Sequence, residues 1–214
     1  MDESRVSRWA VWTGPVFAVL FFVLSALTGS SPSDKASPEK VDSYVDGHKG
    51  QLLVGVFLSP LGVALLLIFA AYVYSRARAA GDATVGPRVL VAGAVLWASG
   101  LLIGSMVALA QVSAADHNQL QVGQTLNVLA SASWVPFIGG IAVFLIGAGI
   151  TGLSSGMLPT WIGWVALVLG IVSLAGPGGF IGFFAAPLWM LVAGILLAMR
   201  TGAPRPSGHR VAVA

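Results

Sequence analysis

Apolar residues run along the chain in six long blocks, and the polar side chains fall mostly between them. The blocks are Trp9–Thr28, Gln51–Tyr74, Val89–Gln111, a fourth that starts within Gln121–Asn127 and runs to about Leu153, Trp161–Leu174, and Phe180–Met199. A membrane-spanning helix needs about 20 apolar residues, so this pattern predicts an all-α integral membrane bundle of six transmembrane helices. Trp9–Thr28 also fits a signal peptide because its flank is basic, but the block exceeds an h-region of about 7–15 residues and no A-x-A-like site follows. Pro60 and Pro187 fall inside spans and remove a backbone hydrogen bond from each, and Trp134-Val135-Pro136 marks a bend in the fourth.

Two polar stretches interrupt the pattern. In the first, Ser37-Pro38-Glu39 reads as a helix start: a capping hydroxyl, a proline that needs no N–H partner, and an acid in the first turn. Val41, Tyr44, Val45 and His48 share one face, and Glu39, Asp42 and Asp46 share another. The spacing predicts a short amphipathic helix in the first outer loop, lying at the membrane surface and ending near Gly47 or Gly50. The second stretch, Gln111–Asn127, separates the third and fourth blocks. On a continuous helix His117, Gln121, Gln124, Asn127, Ser131 and Trp134 would recur at steps of three or four and share one face.

Composition agrees with the hydropathy pattern. The 214 residues are 57% hydrophobic and 9% charged, whereas a soluble domain carries about 25% charged residues. With no cysteine, disulfides, thiol nucleophiles and iron–sulfur clusters are excluded. Lys and Arg then set the orientation. Arg5, Arg8, Arg76, Arg78, Arg88, Arg200, Arg205 and Arg210 fall on one side of a six-span layout; Lys35, Lys40 and Lys49 fall on the other. The positive-inside bias places both termini in the cytoplasm and the chain in the cell membrane as a multi-pass protein. Asp34, Glu39, Asp42, Asp46 and Asp116 then face outward. Residues 1–200 read as one six-helix domain and 201–214 as a disordered basic tail. The net charge of +3 comes from arginines at helix ends, so nucleic-acid binding is not read from it.

Candidate chemistry concentrates in the Gln111–Asn127 stretch. Asp116 and His117 belong either to an ordinary solvated loop or to a site in which desolvation keeps Asp116 protonated, ready to donate its proton, with His117 orienting it. Gln121, Gln124 and Asn127 either hydrogen-bond a ligand head group or join helices to one another. Trp97 and Trp134 lie deeper than the other tryptophans and either pack the core or present ring faces to a cationic intermediate. No charged residue occupies the middle of a span, which argues against a proton-coupled pump. Asp46 and His48 alone do not make a metal site, and no Gly-rich phosphate loop, Ser-His-Asp set or zinc-helix signature occurs. The reading assigns no cofactor and no metal, and a lipophilic small molecule and membrane lipid as partners.

The segment Ser155-Gly156-Met157-Leu158-Pro159-Thr160-Trp161-Ile162-Gly163-Trp164, the Gly-Pro pair in the first block and the capped helix before the second resemble uncharacterised six-span actinobacterial-type membrane proteins. More distantly, size and layout are similar to bacterial membrane-bound terpene cyclases of indole-terpenoid pathways. That resemblance is of general character: no motif matches residue by residue, and DDxxD and DxDD are absent. It implies a membrane-embedded enzyme that protonates an isoprenoid-type substrate, here through Asp116, and shelters the carbocation until ring closure. A small-molecule transporter or a non-catalytic membrane subunit is the alternative.

Overall fold

A computed structural model describes residues 9–29, 31–176 and 178–201. The arginines at 5, 8, 205 and 210 and the predicted tail beyond residue 201 lie outside the described residues. Every regular element among the described residues is a helix. The elements are α1 (Thr13–Thr28), α2 (Pro38–Ala79), α3 (Gly86–Asp116), α4 (Leu120–Ala132), α5 (Trp134–Ser155), α6 (Thr160–Ser173) and α7 (Gly178–Thr201). Four stretches are long and apolar enough to cross a membrane: α2, α3, α4 together with α5, and α7. They mark the chain as a multi-pass membrane protein. Helices α1 and α6 are apolar but shorter, at 16 and 14 residues.

The helices form a ring. α1 packs on α2, α2 on α3, α3 on α5, α5 on α6, α6 on α7, and α7 returns to α1. Phe17, Leu66, Phe69, Leu90, Trp97, Phe144, Leu145 and Met190 fill the centre, each at most 2% exposed. Large apolar side chains such as Phe57, Met106, Ile171 and Phe180 point outward, as expected where the solvent is lipid.

The tightest contact in the ring joins α3 and α5, and glycine makes it possible. A Cβ on Gly93 would lie 2.1 Å from the Phe144 nitrogen, one on Gly147 2.2 Å from that of Leu90, and one on Gly140 2.5 Å from that of Trp97. Gly86 and Gly100 meet α5 in the same way, at Thr151 and Phe137. The α3 glycines recur every seven residues (86, 93, 100), as do their partners on α5 (151, 144, 137). A seven-residue period keeps one face of a helix toward its neighbour, and small residues on that face let two membrane helices approach closely.

The expected surface helix is not a separate element. The start at Ser37 holds: its hydroxyl accepts from the Lys40 N–H at 3.4 Å. The Glu39 carboxyl sits below its ordinary pKa because its own backbone N–H and the Ser37 hydroxyl bond to it. Gly47 and Gly50, however, do not end the helix, which continues into the span as one rod of 42 residues. At 1.5 Å per residue that is about 63 Å, twice a hydrocarbon core of about 30 Å. The apolar face of its first turns explains the continuation. Val41 and Val45 are buried against Val112 of α3 and Ala36 of the α1–α2 loop, in a small second core apart from the main one. Packing on this face outweighs the helix-weakening effect of two glycines.

Candidate functional site

The stripe expected across residues 117–134 is divided among three elements. Helix α3 stops at Asp116, His117 caps it, and Asn118 takes a positive φ of 55°. A second break at Ser133 separates α4 from α5, where Pro136 has no N–H to offer the Ala132 carbonyl. Only Gln121, Gln124, Asn127 and Ser131 therefore lie on α4.

Asp116 forms an ion pair with Lys49 of α2, and both side chains are more than two-fifths exposed. His117 is exposed, with Nδ1 donating to the Ser113 carbonyl at 2.8 Å. Gln121 is exposed as well. Gln124 and Asn127 instead reach the loop between α1 and α2. Gln124 Nε2 donates to the Ala36 carbonyl at 3.1 Å, and Asn127 Nδ2 to that of Ser33 at 3.0 Å. Asn127 is 3% exposed. The two amides thus hold residues 33–36 as a strap across the head of the bundle. Tyr44 adds a third tie, its hydroxyl donating to the Thr28 carbonyl at 2.9 Å.

A cavity of about 330 Å³ opens in the half of the bundle nearest this strap. That volume falls at the lower end of ligand pockets, about 300–1,000 Å³. Phe21, Trp134, Phe137 and Phe183 supply an aromatic wall, and Ser25, Thr28, Ser59, Ser105 and Ser133 supply hydroxyls. Phe183 ties the wall together: its ring centroid lies 4.9 Å from that of Phe21 and 5.3 Å from that of Trp134. A second, contiguous hollow shares Ser25, Thr28 and Phe183, and continues past Phe22, Ala26 and Phe184 between α1 and α7. No lining residue of either hollow carries an ionisable group.

Two glycines make the space. At Gly55 and Gly104 a Cβ would meet nothing within 4 Å, and both residues line the cavity. Gly100 and Gly104 have the small-xxx-small spacing that lets membrane helices meet closely, but the two positions do different things. Gly100 sits against Phe137, 2.8 Å from an added Cβ, while Gly104 faces open space.

Of the seven residues the sequence singles out, only Trp134 lines the cavity. Trp97 lies in the ring centre, packed edge-on against Phe17 and Phe144 at 5.2 and 5.6 Å, with no partner for its Nε1 among the described residues. Serine hydroxyls in apolar helices and paired vacant glycines give no signal in one sequence.

One buried carboxylate was also missed. Asp82, in the α2–α3 turn, is 5% exposed. Its Oδ1 accepts from the Thr84 N–H at 2.8 Å and its Oδ2 from the Ser154 hydroxyl at 2.7 Å, while Arg78 donates to its carbonyl at 3.0 Å. Burial alone would raise its pKa, but the bonds from Thr84 and Ser154 and the Arg78 charge outweigh burial and hold it below the ordinary carboxylate value. Both carboxylate oxygens accept from protein donors, so Asp82 fastens a turn to the end of α5. Among the described residues no cluster of three His, Cys, Asp or Glu side chains could hold a metal ion. Comparison with protein-family models, with curated proteins and with solved structures gives no match.

Proposed function

We propose that the protein is a six-span cell-membrane protein, both termini cytoplasmic, that takes a lipophilic small molecule from the surrounding bilayer into the aromatic cavity. The closed ring of six apolar helices and the grouping of arginines on one side support the topology. The cavity carries the functional reading: it is apolar and aromatic, lies in the half of the bundle under the strap, and continues sideways between α1 and α7, where a lipid-borne molecule would reach it. An isoprenoid chain is the ligand class that this wall suits.

Binding accounts for more of the geometry than chemistry does. Acid-initiated cyclisation needs a proton donor at the substrate, and no ionisable group lines the cavity. Asp116 would have to leave Lys49 and act on a space that it does not line. One experiment separates these readings: full-length protein in phosphatidylcholine vesicles is incubated with geranylgeraniol, and bound ligand and products are quantified. Saturable binding of the unaltered alcohol, weakened at least about tenfold by Gly104→Phe and unchanged in Asp116→Asn, is the expected result. A cyclised product that disappears in Asp116→Asn would return the site to catalysis.

A further inference from the structure

Five hydroxyls line the cavity, and they divide by where their protons go. Serine and threonine in a helix often donate to a carbonyl one turn back on the same helix. Thr28 does so to Leu24 at 3.1 Å, Ser105 to Leu101 at 2.9 Å, and Ser133 to Ala130 at 2.7 Å. Ser25 and Ser59 do not. The Ser25 hydroxyl has no hydrogen-bond partner among the described residues. The Ser59 oxygen accepts from Ser105 at 2.5 Å, and its own proton has no acceptor there. Both serines sit on the helix faces that the cavity uses. Phe21, Ser25 and Thr28 of α1 and Leu52, Val56 and Ser59 of α2 line it at steps of four and three, one face of each helix. Ser25 also borders the hollow that continues toward α7, so it stands where the two spaces meet.

On the reading that this cavity binds a lipophile, we infer that the ligand carries an uncharged acceptor oxygen, held by the Ser25 and Ser59 hydroxyls. A ketone, ester or quinone carbonyl has two lone pairs to accept with and brings no proton that needs a partner. An alcohol fits through its oxygen. A hydrocarbon leaves both serine protons dry and unpartnered, which is costly in apolar surroundings. A diphosphate brings acceptors as well, but two neutral hydroxyls without a cation do not replace the water around its charge. The bond from Ser105 sharpens the preference, because a hydroxyl that accepts a hydrogen bond is polarised toward giving its own. Ser105 thus primes Ser59 as a donor.

The test uses full-length protein in nanodiscs of phosphatidylcholine with three probes. They are the methyl ketone geranylgeranylacetone, its analogue with a methylene group in place of the carbonyl oxygen, and geranylgeranyl diphosphate. The ketone should bind about tenfold more tightly than the methylene analogue, the scale of one or two hydrogen bonds, and more tightly than the diphosphate. In the Ser25→Ala, Ser59→Ala double variant the ketone's advantage should fall toward onefold, while the methylene analogue keeps its wild-type affinity. Ser25→Ala alone breaks no hydrogen bond within the protein and should remove part of that advantage. Equal binding of ketone and methylene analogue by the wild type overturns the inference but leaves a lipophile site in place. So does an advantage that survives in the double variant, and so does preference for the diphosphate. If none of the three binds saturably, the cavity reading itself fails and takes this inference with it.

Discussion

The seam between α3 and α5 and the cavity beside it are built with the same residue to opposite ends. Along the seam, Gly86, Gly93, Gly100, Gly140 and Gly147 bring backbones so close that an added methyl group would overlap the opposite chain. Beside it, a Cβ on Gly55 or Gly104 would touch nothing, and the two positions leave the cavity open. The border between the regions passes through one short motif, with Gly100 on the packed side and Gly104 on the open one. In a membrane helix, then, a missing side chain signals either contact or vacancy, and only the neighbour across the gap decides which.

The comparison can be broken most severely at Gly93. Gly93→Ala should cost about 3 kcal/mol or more, because neither backbone can move aside; thermal unfolding in detergent would reveal this, and an unchanged midpoint would show that the seam has slack. Asn127→Ala attacks the strap above the open region. It should cost about 1 kcal/mol by removing the hydrogen bond to the Ser33 carbonyl, and protease cleavage within residues 31–36 should accelerate at least as much as overall stability falls. Asp82→Asn acts at the far end of the seam. Because the folded-state pKa of Asp82 is depressed, the wild type keeps this group's contribution above the ordinary carboxylate value and loses it as pH falls through the lower folded value. The variant should be less stable at neutral pH by about 1 kcal/mol, and this gap should close on acidification.

Gly104→Ala tests the open side with the mildest change. It should stabilise the protein by up to about 1 kcal/mol, since alanine favours the helix and meets no neighbour. A loss of the size seen at Gly93 would mean that the cavity is not open. Smallest of all is Lys49→Met, which removes an exposed ion pair and should change the unfolding midpoint by less than about 1 kcal/mol.

How much of this was legible in the sequence follows from the range of each interaction. The helical blocks and the start at Ser37 depend on neighbours within one or two turns, and both were readable. The stop expected at Gly47 or Gly50 was not, because the partners that carry the helix through, Ala36 and Val112, come from other elements. The amide stripe was half-readable. Gln124 and Asn127 do share a face, but a break at Asn118 removes His117 from it, and their partners lie 88 and 94 residues away. Asp82 carries no mark of its own in the sequence, because its partner Ser154 lies 72 residues on. Polar function in this chain depends on long-range partners, and one sequence does not print those.

The closure of α7 on α1 carries a consequence for biogenesis. Phe21 comes from the first helix and Phe183 from the last, so the cavity has no complete wall until the whole chain has been made, inserted and docked. A truncated or half-inserted chain could form the α3–α5 seam and still have nowhere to put a ligand. On the proposed reading, occupancy of the cavity would report finished assembly, because its wall is complete only once α1 and α7 have docked.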